Sequence, residues 1–313
     1  MSSRVKSAGV ALACAIAACG GPASETAADG GAEARVEIDV VVVFTTNYPL
    51  AYFARRIGGD RVRVEFPAPP GIDPAYWSPS PEDVAAYQGA DVVLLNGAGY
   101  EGWVAKTSLP DSKLVNTSAG FEDMYIVSED AVVHTHGPAG EHEHENLAFT
   151  TWLDPVLAIE QARAIRDALA AQLPGAEADL QEGFAALETD LTEIDARLEA
   201  WAADRSGQPL LASHPVYQYL ARRYDLNLRS VHFEPDELPT TGGWRGLAAR
   251  LEGHAAEWML WEASPLDETR EFLAGEYGVG SVVFDPCGNR PESGDYISVM
   301  LTNVESLEAL PAI

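Results

Sequence analysis

Residues 180–201 read LQEGFAALETDLTEIDARLEAW, and this stretch decides the architecture. Leu180, Phe184, Leu187, Leu191, Ile194, Leu198 and Trp201 fall alternately four and three positions apart. That spacing lines one face of a helix with apolar side chains. Pro174-Gly175 breaks the helix before it. A helix of about 28 residues is implied, on the order of 40 Å at ~1.5 Å per residue. Three heptads would also suit a coiled coil, but strand and helix alternate on both sides, so the helix is expected to pack across two domains.

Working outward, residues 38–44 (IDVVVVF) form a continuous apolar run of the kind buried on both faces of a parallel sheet. A helix follows at 48–57, stopped by Gly58-Gly59, and a second strand at 61–66. Ser80-Pro81-Glu82-Asp83 opens another helix, with an N-cap, a first-turn proline and acids at the positive end of the dipole. Strands at 90–96 and 113–116 and a helix from Asp154-Pro155 to about Leu173 complete the first run. Beyond the long helix, strands are expected at 209–213, 226–231, 257–261 and 281–284, and a last helix near 304–310. The expected fold is α/β, with two Rossmann-like lobes (37–173 and 206–313) joined by one long rigid helix within 174–205. Such a joint permits little hinge bending.

The amino-terminal segment has Arg4 and Lys6, then the apolar run AGVALACAIAA, too short for a permanent membrane span. Ile16-Ala17-Ala18-Cys19 resembles a bacterial lipobox. Residues 1–19 are expected to be a lipoprotein signal peptide with the cysteine that takes lipid, and 20–36 a flexible tether. The alternative, an ordinary secretory signal with an incidental cysteine, also exports the chain. The product would be a periplasmic or cell-surface lipoprotein, touching the membrane through the lipid on Cys19 alone. Only Cys287 is left after processing, so an intramolecular disulfide is excluded. A formal net charge of −28 argues against nucleic acid as a partner. It suits attraction of cations, simple solubility or a salty medium equally well.

Residues 134–144, HTHGPAGEHEH, hold four of the seven histidines: His134, His136, His142 and His144. Gly137, Pro138 and Gly140 make this a loop, and clustered neutral imidazoles read as ligands for zinc or a related ion. In open α/β sheets ligands bind beyond the carboxyl ends of strands. His214, Glu262 and Asp285 each follow an expected strand. Singly each is weak, more often a structural histidine or a turn residue; with the imidazole cluster in one cleft they become candidate donors for one divalent ion. A catalytic reading finds no H-E-x-x-H, G-x-S-x-G, Walker A loop or G-x-G-x-x-G after a strand. Cys287 has no histidine close in sequence and is expected to be buried. The chain is therefore read as a binding protein and not an enzyme.

An ordered set of segments then carries a resemblance. NYPLAYFARRIGGDRV at 47–62, PPGIDP at 69–74 and ADVVLLNGAGYEGW at 90–103 are followed by TWLDPVLA at 151–158. SHPVYQYLARRY at 213–224, FDPCGN at 284–289 and YISVMLTN at 296–303 continue it. The chain resembles the zinc- and manganese-binding receptors of bacterial ABC transporters over nearly all its length after residue 38. The resemblance implies two α/β lobes, a rigid linking helix and a metal site in the cleft between them. It also implies a permease with its ATPase as partners, a monomeric receptor, and Zn2+ (or Mn2+) as the ion.

The family's ligands carry over only in part. Family members usually have histidine after G-x-D-P, where this chain has Ala75, and two positions before the tryptophan of W-L-D/S-P, where it has Thr150. His214 and Asp285 occupy the other two ligand positions. Either two of the loop histidines replace the lost pair, giving a zinc-suited N3O site with His214 and Asp285, or the cleft binds a different solute such as a chelated metal. Tyr76, Trp77 and Trp103 are the candidate walls for the latter. Glu262 is either a direct ligand or the acceptor that orients His214. His232 and His254 are assigned to structure, Asp73 and Glu101 to turns or the lobe interface. A surface adhesin or metal-storage lipoprotein is the third class. Imidazoles ligate only when neutral, so metal affinity is expected to fall as pH drops through about 6.5.

Overall fold

The computed structural model describes residues 40–127 and 147–311. Cys19, the tether and the four loop histidines lie outside them. Two four-stranded sheets, all parallel, carry the chain. The first comprises β1 (Val41–Thr45), β2 (Val62–Glu65), β3 (Val92–Leu95) and β4 (Leu114–Asn116), in the order β2-β1-β3-β4. The second comprises β5 (Pro209–Ala212), β6 (Asn227–Ser230), β7 (Trp258–Trp261) and β8 (Gly280–Val283), in the equivalent order β6-β5-β7-β8. Each sheet therefore reverses direction between its first and third strands, which opens a crevice at their carboxyl ends. Val43 pairs with Val64 and Val92, and Leu211 with Arg229 and Met259, so both central strands are hydrogen-bonded on either side.

The helices start where side chains satisfy the first-turn amides. Asn47 accepts from Leu50 N at the head of α1 (Tyr48–Gly58). Ser80 and Asp83 form a reciprocal capping box on α2 (Pro81–Gly89), and Asp154 accepts from Val156 N and Leu157 N on α3 (Pro155–Gln172). The decisive stretch is α4 (Glu177–Ala203), a helix of 27 residues. All seven residues of its predicted stripe are buried, against α3, α1 and the last helix. Gly183 on α4 sits so close to α1 that a Cβ would lie 2.7 Å from the carbonyl oxygens of Arg56 and Ile57. The helix thus rests directly on the backbone of the first lobe. Trp201 Nε1, near its other end, donates to Leu307 O in the second.

The second lobe adds α5 (Gln218–Arg223), α6 (Thr241–Leu251), α7 (Asp267–Phe272) and α8 (Tyr296–Glu308). The sequence placed the last helix near 304–310; it begins eight residues earlier. Asp295 and Ser298 form a capping box, and Tyr296 and Met300 are buried from its first turn. The described residues form one compact unit. Loop-to-loop bonds hold the lobes together: Asn289 Nδ2 donates to Pro69 O and Ile72 O at 2.7 Å, and Trp152 Nε1 donates to Pro286 O at 2.7 Å. Among the described residues no helix is long and apolar enough to cross a membrane.

Candidate functional site

The carboxyl ends of β5, β7 and β8 deliver His214, Glu262 and Asp285 to one edge of the second sheet. His214 is held between two carboxylates. Its Nε2 stands 3.3 Å from Glu234 Oε1, and its Nδ1 stands 2.8 Å from Glu262 Oε1 without the alignment of a hydrogen bond. Burial by itself would lower the imidazole's pKa, but the facing Glu262 and Glu234 outweigh it and raise it above the usual 6.5. The ring of His232 lies edge-on to His214, with centroids 5.9 Å apart. Asp285 is fixed by its backbone, whose N–H and carbonyl both bond the Asn303 side chain. Its Oδ1 accepts from Cys287 N at 2.7 Å, in a turn where Cys287 takes a φ of 54°. Burial pushes the Asp285 carboxyl up, and the nearby Glu262 charge pushes it the same way. A cation between these groups relieves their repulsion.

Opposite this edge, the first lobe contributes the loop after β2 and the segment before α3. Together they enclose a cavity of about 210 Å³, lined by Asp73, Tyr100, Phe149, Thr150 and Trp152 from one side and Glu262 and Asp285 from the other. Ala75 is buried and offers no donor. Thr150 Oγ1 is already engaged, donating to Val216 O at 2.5 Å. Among the described residues no three His, Cys, Asp or Glu side chains are grouped so as to hold a metal ion. The structure brings together His214 and Glu262, and it places Glu262 with Asp285 on the cavity wall. His134, His136, His142 and His144 lie outside the described residues. Their segment leaves and returns at one place, because Val127 and Leu147 pair in an antiparallel bridge two residues before Phe149.

Several residues read differently from the sequence. The aromatic walls are Tyr100, Phe149 and Trp152. Trp103 instead packs on Tyr87 with centroids 5.0 Å apart, Trp77 packs against the core, and Tyr76 is half exposed, edge-on to Phe149. Of the two structural histidines, His254 fits its assignment, buried with Nε2 2.8 Å from Leu210 O. His232 stands beside the site. Glu234 was missed because it lies four residues beyond β6 in a loop, with no spacing to His214 that a sequence reveals. Asp73 lines the cavity. Glu101, next to Tyr100, is partly buried, its carboxylate accepting from Thr46 Oγ1 and the amides of Asn96 and Gly97, and desolvation raises its carboxyl to about 7. Cys287 is buried as expected, and burial pushes its thiol far above the usual range.

The family model for the periplasmic component A of zinc-uptake complexes, ZnuA, matches residues 43–310. The chain belongs to this family. It is 27% identical to the high-affinity zinc uptake system protein ZnuA of Bacillus subtilis over 303 residues, covering 94% of this chain and 92% of that protein. It is 28% identical to the zinc-binding lipoprotein AdcA of Streptococcus pneumoniae over 276 residues, covering 85% of this chain and 55% of that protein. The chain therefore spans about half the length of its streptococcal relatives. The crystal structure of Zn(II)-bound AdcA from Streptococcus pneumoniae superposes with a TM-score of 0.72 at 25% identity, over 86% of this chain and 57% of that one. Members of the ZnuA family are solute-binding receptors, and the two parallel-sheet lobes described above are their fold.

Proposed function

We propose that the chain is the extracytoplasmic receptor of an ABC transporter, capturing zinc in the cleft and passing it to a permease driven by its ATPase. The pairing of His214 with Glu262, and the placing of Glu262 and Asp285 on one cavity wall, carry this reading. Glu262 and Asp285 face the cavity, whose described wall holds no lysine or arginine, and His214 stands directly behind Glu262. His214 and Asp285 bind the ion, and the 2.8 Å contact supports Glu262 as the group that orients His214. Two of His134, His136, His142 and His144 supply the donors lost at Ala75 and Thr150. The Val127–Leu147 bridge supports this, because it returns the histidine segment to the chain three residues before Thr150. Residues 1–19 act as the lipoprotein signal, Cys19 carries the lipid, 20–36 tether a monomer to the membrane, and lobes 37–173 and 206–313 dock on the permease.

Calorimetric titration of residues 20–313 with zinc, beside a variant with all four loop histidines changed to alanine, tests the reading. Tight one-to-one binding in the parent, lost in the variant, is the expected result. Tight binding retained in the variant overturns the role of the loop, and no binding by the parent overturns zinc as the cargo.

A further inference from the structure

The turn after Asp285 is fastened to the opposite lobe. Pro286 O accepts from Trp152 Nε1 at 2.7 Å, and Gly288 O accepts from Tyr48 N at 2.9 Å. Asn289 Nδ2 donates to Pro69 O and to Ile72 O, both at 2.7 Å. The Arg290 guanidinium donates to Phe66 O and lies 4.8 Å from the centroid of the Phe66 ring. Between them Cys287 N turns back and donates to Asp285 Oδ1. The backbone of Asp285 is thus held in the second lobe by Asn303, while the turn that holds its carboxylate is bonded to the first.

Asn289 stands where the two walls meet. It lines the cavity beside Asp285, and the first-lobe loop through Gly71, Ile72 and Asp73 lines it too. Its carboxamide is fully engaged: Nδ2 bonds both carbonyls that bracket this loop, and Oδ1 accepts from Arg290 N at 2.6 Å. One side chain therefore sets the spacing between the first-lobe loop and the Asp285 turn. We propose that Asn289 is a positioning residue for the zinc site, tying the two walls together so that the Asp285 carboxylate stays where the ion is held. This rests on the receptor reading above, in which Asp285 is a ligand. A zinc–oxygen bond is short, about 2.0–2.2 Å, and partners that orient a ligand typically contribute about 10–100-fold to metal affinity.

Zinc titrations of the parent, Asn289→Ala, Asp285→Asn and the double variant test it. Asn289→Ala is expected to lower zinc affinity about tenfold in the parent, and less than about twofold in the Asp285→Asn background, where the group to be positioned is gone. Asn289→Asp serves as a second probe. It keeps the shape, removes both donors and adds a negative charge that by itself favours zinc, so a loss of affinity there reports position and not charge. Parent-like binding by Asn289→Ala overturns the proposal, and so does tighter binding by Asn289→Asp. An equal loss in the Asp285→Asn background also overturns it, because Asn289 would then support the fold and not the ligand. In all three cases the parent still binds zinc and the receptor reading stands; a parent that takes up no zinc overturns both.

Discussion

The two walls of the cleft present different side chains. The second-lobe side carries Glu262 and Asp285 on the wall at the ends of β7 and β8, with His214 from β5 against Glu262, held by neighbours such as Asn303 and Glu234. The first-lobe wall has the same sheet order behind it, yet presents Ala75 and a threonine whose hydroxyl bonds Val216 across the cleft. Fold and donor set are therefore separable. The parallel sheet and α4 position both walls alike, and the ligands are a choice of side chain made at each strand end.

The most direct way to break the comparison is to make the walls alike. In the four-histidine variant, Ala75→His with Thr150→His is expected to restore tight zinc binding. Dividing the about 10–16 kcal/mol of a four-ligand zinc site among its donors gives roughly 3 kcal/mol for each. Calorimetry reads the change, and a doubly substituted protein that still ignores zinc would show that the first-lobe wall has lost its geometry as well as its donors.

The comparison also assumes that α4 holds the two walls as one body. Phe184, 1% exposed on the buried stripe and covered by Arg163 and Arg166, is central to that packing. Phe184→Ala is expected to cost about 3–5 kcal/mol in urea unfolding. A loss below about 1 kcal/mol would mean that the helix is a tether and not a strut.

That strut was legible in the sequence because a 4-3 apolar spacing over seven residues has no competing period. The strands were legible too, since continuous runs such as VVVF and WMLW bury on both faces. The late start expected for α8 has a local cause: the capping pair Asp295 and Ser298 follows a glycine and a proline, which read as loop. The site divides along the same line as the walls. His214, Glu262 and Asp285 were legible because strand ends announce themselves. Glu234 and His232, which touch His214, and Tyr100, which lines the cavity, were not, since each comes from a loop through contacts distant in sequence.

A smaller effect distinguishes the walls by pH. Glu101, partly buried beside Tyr100 of the first-lobe wall, has its carboxyl raised from 4.5 to about 7. The folded protein therefore binds a proton that the unfolded chain has released, and stability falls as pH rises from about 4.5 to about 7. Unfolding free energies at pH 5 and 7.5 should differ by up to about 2–3 kcal/mol, and Glu101→Gln should flatten that slope. An unchanged slope in the variant would place the titration elsewhere.

The central claim is that the second-lobe wall carries the ion and the first-lobe wall does not. Zinc titrations of the parent, His214→Ala and Thr150→Ala test it side by side. Loss of at least about a hundredfold in affinity for His214→Ala, roughly 3 kcal/mol, with less than threefold change for Thr150→Ala, is the predicted result. Equal losses at both positions would contradict it.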